Sequence, residues 1–154
     1  MIRIVFVCHG NICRSTMCEY VFKHLVEKEK LCKQFYIDSA ATSREEIGNG
    51  VHRGTRKKLN EMGIYCGDHR ARQIRKEDYQ TFDYIIGMDE ANMRNMKAFF
   101  PQDRSEKLHK LLDFTNQPRD IADPWYSGNF DVTFEDVLQG CQCLLEYIKK
   151  KHEL

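Results

Sequence analysis

The sequence predicts an α/β fold: a single domain, residues 1–154, with a four-stranded parallel central sheet flanked by helices on both faces. Three observations carry that expectation. Apolar, β-branched runs alternate with segments of helical spacing, the order that builds a parallel sheet covered by crossover helices. The first run, Ile2 to Val7, lacks polar alternation, as a central strand buried on both faces requires. The length of 154 residues suits one domain with one sizeable core, and no repeat, linker or low-complexity stretch divides it.

Strand one is Ile2 to Val7. A polar loop follows, then a helix that Ser15 and Thr16 are suited to start. Met17, Tyr20, Val21, His24, Leu25 and Lys28 keep helical spacing to near Lys30, which puts Glu19, Lys23 and Glu27 on the wet side. Phe35 to Ala40 reads as the second strand, and the polar stretch Thr42 to Arg53 as a loop. Thr55 to Met62 is a short helix stopped by Gly63, Ile64 to Cys66 a small strand, and His69 to Arg72 a connecting loop. Lys76 to Thr81 makes one or two helical turns before the third clear strand, Phe82 to Met88. Asp89 is placed to cap the next helix, which runs to about Phe99 and ends at Pro101. Lys107 to Leu112 reads as the fourth strand, and Asp113 to Asp131 as a long loop. The last helix is expected near Thr133, with Asp136 three residues on as a capping partner. Phe134, Val137, Leu138, Cys141, Leu145 and Ile148 form its buried stripe.

In parallel sheets ligands bind beyond the carboxyl ends of the strands. That rule puts Cys8, Ser39, Asp89 and the Asp113–Asp131 loop on one edge, with the loop as a candidate lid.

The most informative stretch lies on that edge: Val7-Cys8-His9-Gly10-Asn11-Ile12-Cys13-Arg14-Ser15. A strand, a short polar loop and a helix start make an anion cradle. Loop amides point inward, the helix N-terminus adds partial positive charge, and a guanidinium grips two oxygens at once. Gly10 lets backbone approach a ligand, Asn11 tolerates left-handed angles, and Ser15 is placed to donate to the Cys8 sulfur. A thiolate is the nucleophilic form of cysteine, and every neighbour in such a cradle favours it. The site therefore suits holding and attacking a tetrahedral oxyanion, that is, phosphoryl transfer through a phosphocysteine. Taken alone, Cys8 would read as a small buried hydrophobe; the spaced arginine between strand and helix reverses that.

A phenol leaving from phosphorus needs a proton at the bridging oxygen, and a carboxylic acid supplies it. Asp123, followed by Pro124, is the candidate, because a residue before proline is held out of helical geometry and its carboxyl is presented on a loop. Trp125 and Tyr126 read as pocket walls for a flat aromatic substrate, or as packing for the loop. Arg14 and the loop amides supply the charge stabilisation, so neither metal nor cofactor is called for.

Bulk composition excludes other classes. The formal charge of +1, from 24 basic and 23 acidic residues, points to neither nucleic acid nor an anionic membrane. A basic bias at Lys57, Lys58, Arg70, Arg72, Arg75 and Lys76 is either a solvated face or an attractor for anionic substrates. No span approaches membrane length, and the apolar N-terminal run is too short for a signal-peptide core. Seven cysteines, an odd number, suggest reduced thiols and a cytoplasmic location.

Cys8 to Ser15 resembles the signature of the low-molecular-weight protein tyrosine phosphatases. Asp123-Pro124-Trp125-Tyr126 resembles that family's general-acid segment. Ser39-Ala40-Ala41-Thr42, Gly48-Asn49, Ala71-Arg72-Gln73 and Gly87-Met88-Asp89 are similar to it as well, so the resemblance spans nearly the whole chain. The resemblance implies Cys8 as nucleophile, Arg14 as phosphate and transition-state ligand, Asp123 as general acid, and a network of Asn11, Ser15 and His69 that shapes the loop. It implies a phosphotyrosine-containing protein or peptide as substrate, phosphate as product and inhibitor, no nucleic acid or membrane partner, and a monomer or weak homodimer. It also implies that Cys8 and Cys13 can close into a reversible disulfide and that Tyr126 stands in an aromatic pair that can carry phosphorylation. Ile12 at the rim suits a phenyl ring, whereas relatives acting on phosphoarginine resemble one another in a smaller polar residue there. His9 and Thr16 depart from the family pattern. So does Arg44-Glu45-Glu46, which lacks an aromatic pocket wall; Glu45 there favours basic over acidic peptides. By resemblance, an arsenate reductase on this scaffold is expected to carry a relay cysteine pair in the Phe82–Asp89 region, which has none. A phosphate-binding module would need neither Cys8 nor Asp123.

Overall fold

The computed structural model describes residues 1–154. Strands β1 (Ile2–Cys8), β2 (Phe35–Ala41), β3 (Tyr84–Gly87) and β4 (Leu108–Lys110) form one all-parallel sheet in the order β2-β1-β3-β4. Helices α1 (Arg14–Lys28), α2 (Arg53–Glu61), α3 (Asp78–Thr81), α4 (Glu90–Phe99), α5 (Pro124–Ser127) and α6 (Phe130–His152) connect and cover it.

The central strand explains the two-sided core. Ile2, Ile4, Phe6 and Cys8 point into the larger core with Met17, Val21 and Phe22 of α1 and Val137, Leu144 and Leu145 of α6. Val5 and Val7 point the other way, against Ile74, Phe82, Met96 and Phe100. From Ile4 on, β1 has no outward position, so its sequence shows no alternation. Because all four strands run the same way, their carboxyl ends, and every loop that follows a strand, gather on one edge.

Several boundaries differ from the sequence reading. Ile64–Cys66 is not a strand: Ile64 is buried in the larger core, but the place beside β2 is taken later in the chain. There the Ala41 N–H donates to the Arg72 carbonyl at 2.7 Å, and the Ile74 N–H donates to the Ala41 carbonyl at 2.8 Å. The third strand is trimmed to Tyr84–Gly87. The fourth stops at Lys110, where Leu111–Phe114 turn into a 3₁₀ segment. That segment packs tightly on α6: a Cβ on Gly140 would lie 2.5 Å from Leu111 Cγ, which is why α6 carries a glycine mid-helix at a cost of roughly 1 kcal/mol.

Helix α6 starts at Phe130 rather than Thr133. Asn129 caps it by accepting from the Val132 N–H at 3.1 Å, while Thr133 donates to the Ala122 carbonyl and Asp136 receives Arg119. Helix α1 begins at Arg14, and neither Ser15 nor Thr16 caps it. Thr16 turns back to the Ile12 and Cys13 carbonyls, and Ser15 faces the sulfur of Cys8. Glu19, expected on the wet side, is only 3% exposed, because its neighbour is β2 and not solvent: Ser39 donates to it at 2.6 Å.

The expected lid is anchored. Ile121 is buried; its N–H donates to the Met88 carbonyl, and Lys110 bridges Glu90 and Asp120 beside it. In the following turn, α5, Trp125 and Tyr126 are exposed at the edge.

Candidate active site

Loop residues 9–13 curl over the end of β1. The left-handed turn falls on Asn11 (φ +62°) and not on Gly10, and Asn11 is fully buried. A buried left-handed non-glycine residue needs every polar atom satisfied. Its side-chain amide donates to Ser15 Oγ at 2.8 Å, and its Oδ1 accepts from His69 Nε2 at 2.8 Å and from the Arg72 N–H at 3.2 Å. His69 must therefore carry its proton on Nε2. Its Nδ1 faces the Glu19 and Asp38 carboxylates at 3.4 and 3.7 Å. Asn11, Ser15 and His69 thus lie in one hydrogen-bonded chain. Glu19 and Asp38 at its end are placed by β2 and α1, and nothing in their local sequence pointed to them.

That chain ends on the sulfur. Cys8 Sγ lies 3.1 Å from Ser15 Oγ and accepts from the Asn11 N–H at 3.3 Å. Because Ser15 already accepts from Asn11, its own hydroxyl proton is free to point at a thiolate. Cys13 is a different kind of thiol. Burial first, then the negative charge of Cys8, push it up to about 12, so it stays protonated.

Arg14 is 3% exposed. Its NH1 donates to Asp89 Oδ2 at 2.8 Å and to the Ile121 carbonyl at 2.7 Å, and its NH2 lies 3.5 Å from Asp123 Oδ2. Burial alone would weaken the guanidinium's hold on its proton. Cys8, Asp89 and Asp123 outweigh it and raise Arg14 above its ordinary range. Asp89 does more than cap: Oδ1 caps α4 by accepting from the Asn92 N–H at 2.7 Å, and Oδ2 anchors Arg14. One guanidinium edge is thereby fixed, leaving the other for an oxyanion.

Asp123 caps α5, its Oδ1 accepting from the Trp125 N–H at 3.0 Å with extended backbone (φ −82°, ψ 114°) ahead of Pro124. Oδ2 faces the cradle. Across the mouth, His9 Nε2 and Glu45 Oε2 are 3.0 Å apart and largely exposed. One pocket is lined by Cys8, His9, Gly10, Ile12, Cys13 and Arg14 from the loop, Glu45 and Glu46 from the segment after β2, and Asp123, Trp125 and Tyr126 from α5. The sequence-predicted residues therefore converge on one cavity, except Asn11, Ser15 and His69, which lie behind its floor. Glu46 is an addition to the lining, and Asp89, expected at this edge, reaches the site through Arg14.

Comparison with known proteins agrees with this arrangement. The family model described as low molecular weight phosphotyrosine protein phosphatase matches residues 3–154. A chicken protein named low molecular weight phosphotyrosine protein phosphatase is 42% identical over 97% of this chain and 95% of its own. The low molecular weight protein-tyrosine-phosphatase YfkJ of Bacillus subtilis is 37% identical over the full length of both chains. Its crystal structure superposes with a TM-score of 0.95, covering 98% of this chain and 96% of that one. A drosophila arginine phosphatase shares the fold at 29% identity and a TM-score of 0.84, over 95% and 97% of the two chains. The chain belongs to the low molecular weight phosphotyrosine protein phosphatases, cysteine-dependent and metal-independent hydrolases that work through a phosphocysteine.

Proposed function

We propose that Cys8 attacks the phosphorus of a phosphotyrosine side chain, that Arg14 and the amides of residues 9–15 hold the phosphoryl oxygens, and that Asp123 protonates the leaving phenol. The same carboxylate then takes a proton from the water that hydrolyses the phosphocysteine, releasing phosphate, which also occupies the cradle as an inhibitor. The observation that carries this reading is the placement of Cys8 Sγ, the buried Arg14 and Asp123 around one pocket. Asn11, Ser15 and His69 hold the loop in shape. The protein acts as a monomer or weak homodimer in the reducing cytoplasm, consistent with its seven free thiols. Acid-quenching a reaction with ³²P-labelled substrate should leave acid-stable label on Cys8. Label on another residue, or none under conditions that preserve thiophosphate esters, rejects the scheme.

Phosphotyrosine is favoured over phosphoarginine because Ile12, Trp125 and Tyr126 line the pocket with apolar and aromatic surface suited to a phenyl ring. The rim sets a charge preference. Glu45 has one oxygen on His9 and leaves the other for a cation of the substrate. At 70% exposure such a contact is worth at most ~1 kcal/mol, or about two- to fivefold in kcat/KM. Peptides with lysine or arginine beside the phosphotyrosine should be preferred by that factor over acidic ones, and Glu45→Lys should invert the order. Equal rates on both sets of peptides would remove Glu45 from substrate selection.

A further inference from the structure

His52 joins three segments that the reaction requires to be held together. Its N–H donates to the Ile12 carbonyl at 2.9 Å, which ties it to the cradle. Its Nδ1 accepts from the Gly54 N–H at 3.0 Å, capping α2. Its ring stacks on Phe130 at the start of α6, with centroids 5.4 Å apart and planes within 20°, and meets the edge of Trp125 in α5 at 5.7 Å. Gly54 completes the seat: a Cβ there would lie 2.3 Å from the Phe130 ring. Trp125 is in turn the residue whose N–H fixes the Asp123 carboxylate.

The geometry points to His52 as a positioning residue for the acid-bearing turn. In its neutral form it supplies the platform on which Trp125 seats, and protonation loosens that turn from the cradle. The inference rests on the role given above to Asp123.

The electronic argument is direct. A ring that accepts at Nδ1 from Gly54 is deprotonated at that nitrogen. A second proton there would face the Gly54 N–H, and the α2 cap would be lost. The charged groups acting on the ring are Arg53, beside it in sequence, and Glu46, on the segment after β2. Trp125 of α5 and Phe130 of α6 present only aromatic surface. Burial first, then Arg53, lower the His52 value, against a smaller upward pull from Glu46. A histidine whose folded value is depressed stabilises the folded arrangement at pH above its ordinary value. That contribution is lost as pH falls through the depressed one. The platform is therefore intact at neutral pH and released on acidification below the ordinary imidazole value of about 6.5.

Trp125 is the only tryptophan, so intrinsic emission reports this turn without any turnover. Emission of the wild-type protein should change on acidification, with a midpoint below that ordinary value, as the turn loosens and Trp125 leaves its seat on the His52 ring. His52→Asn keeps a capping oxygen but removes the ring, and should abolish that titration. His52→Phe keeps the ring but not the acceptor. It should abolish the titration too, while holding the turn in place. In first-step rates, read as kcat/KM, His52→Asn should slow phosphotyrosine about tenfold while changing 2,4-dinitrophenyl phosphate less than about twofold, because only the poor leaving group needs a well-placed proton in that step. His52→Phe should restore most of the loss. Persistence of the emission titration in His52→Asn, or an equal loss on both substrates, overturns the proposal. An unaltered emission titration in a protein that fails to turn over would instead count against Asp123 and Cys8 and leave the platform standing.

Discussion

Replacing Cys8 by serine is expected to lower kcat on p-nitrophenyl phosphate by on the order of 10⁴-fold or more while leaving phosphate binding nearly intact. The asymmetry follows from what each atom does. Arg14 and the loop amides bind the oxyanion, and none of them depends on the identity of the nucleophile. A serine hydroxyl at this position has no base beside it: its neighbours are Ser15 and the Asn11 N–H, both suited to stabilise an anion and neither suited to remove a proton. Removing a nucleophile costs about as much as removing a whole catalytic group, which sets the magnitude. Steady-state rates on both proteins, with phosphate affinity from competition or calorimetry, check this. A serine variant within about tenfold of the wild type would mean that the chemistry runs through water and not through this sulfur.

How far the sequence anticipates the molecule can be argued from particular residues. The cradle is legible because its parts are contiguous: Cys8, Arg14 and Ser15 are fixed in relation to one another by a strand end and a helix start. The sheet is legible for the same reason, since Ile2–Val7 and the strand around Ile85 and Ile86 carry no ambiguity of face. The failures involve either an element whose surroundings come from a distant part of the chain or a choice between neighbouring caps. Glu19 has the spacing of a solvent-facing helix residue, yet β2 packs there and supplies Ser39 as its partner. Ile64–Cys66 has strand composition, but the edge of β2 is claimed by Arg72–Ile74. Thr133 looks like a helix start, but Asn129, a better cap, comes first and Thr133 is drawn to Ala122. Capping residues compete, and the sequence displays all of the competitors at once.

The site shows the same division. Asp89 carries an N-cap signal that is real, but its second oxygen serves Arg14, 75 residues earlier in the chain, and only the parallel order β1-β3 brings the two together. His69 has no local signal at all. It matters because Asn11, strained into left-handed backbone, needs an external donor for its Oδ1. A buried polar residue in an unusual conformation implies partners somewhere, and the sequence does not say where.

Asp123→Ala is expected to separate leaving groups. The carboxyl is asked for one thing in the first step: a proton for the bridging oxygen as the P–O bond breaks. General acid catalysis contributes about 10²–10⁴-fold, and its share rises with the basicity of the departing oxygen. Phenyl phosphate and phosphotyrosine should therefore slow by about 10²-fold or more, whereas 2,4-dinitrophenyl phosphate, whose phenolate leaves unaided, should slow by less than about tenfold in the first step. The variant removes more than a proton donor, however. Asp123 also caps α5 through the Trp125 N–H and contacts Arg14. Asp123→Asn keeps the cap and the shape while removing the exchangeable carboxyl proton, so it isolates the chemical part. If Asn and Ala lose the same factor on phosphotyrosine, and neither loses it on the activated ester, proton donation explains the loss. If instead alanine slows the first step equally on both substrates and asparagine spares it, Asp123 is holding the turn and the proton comes from elsewhere. The step that follows supplies an independent check: a carboxylate that deprotonates the attacking water is needed to clear the phosphocysteine. Both variants should therefore accumulate labelled Cys8 from the activated ester, and the amount trapped by acid should exceed that of the wild type at equal turnover.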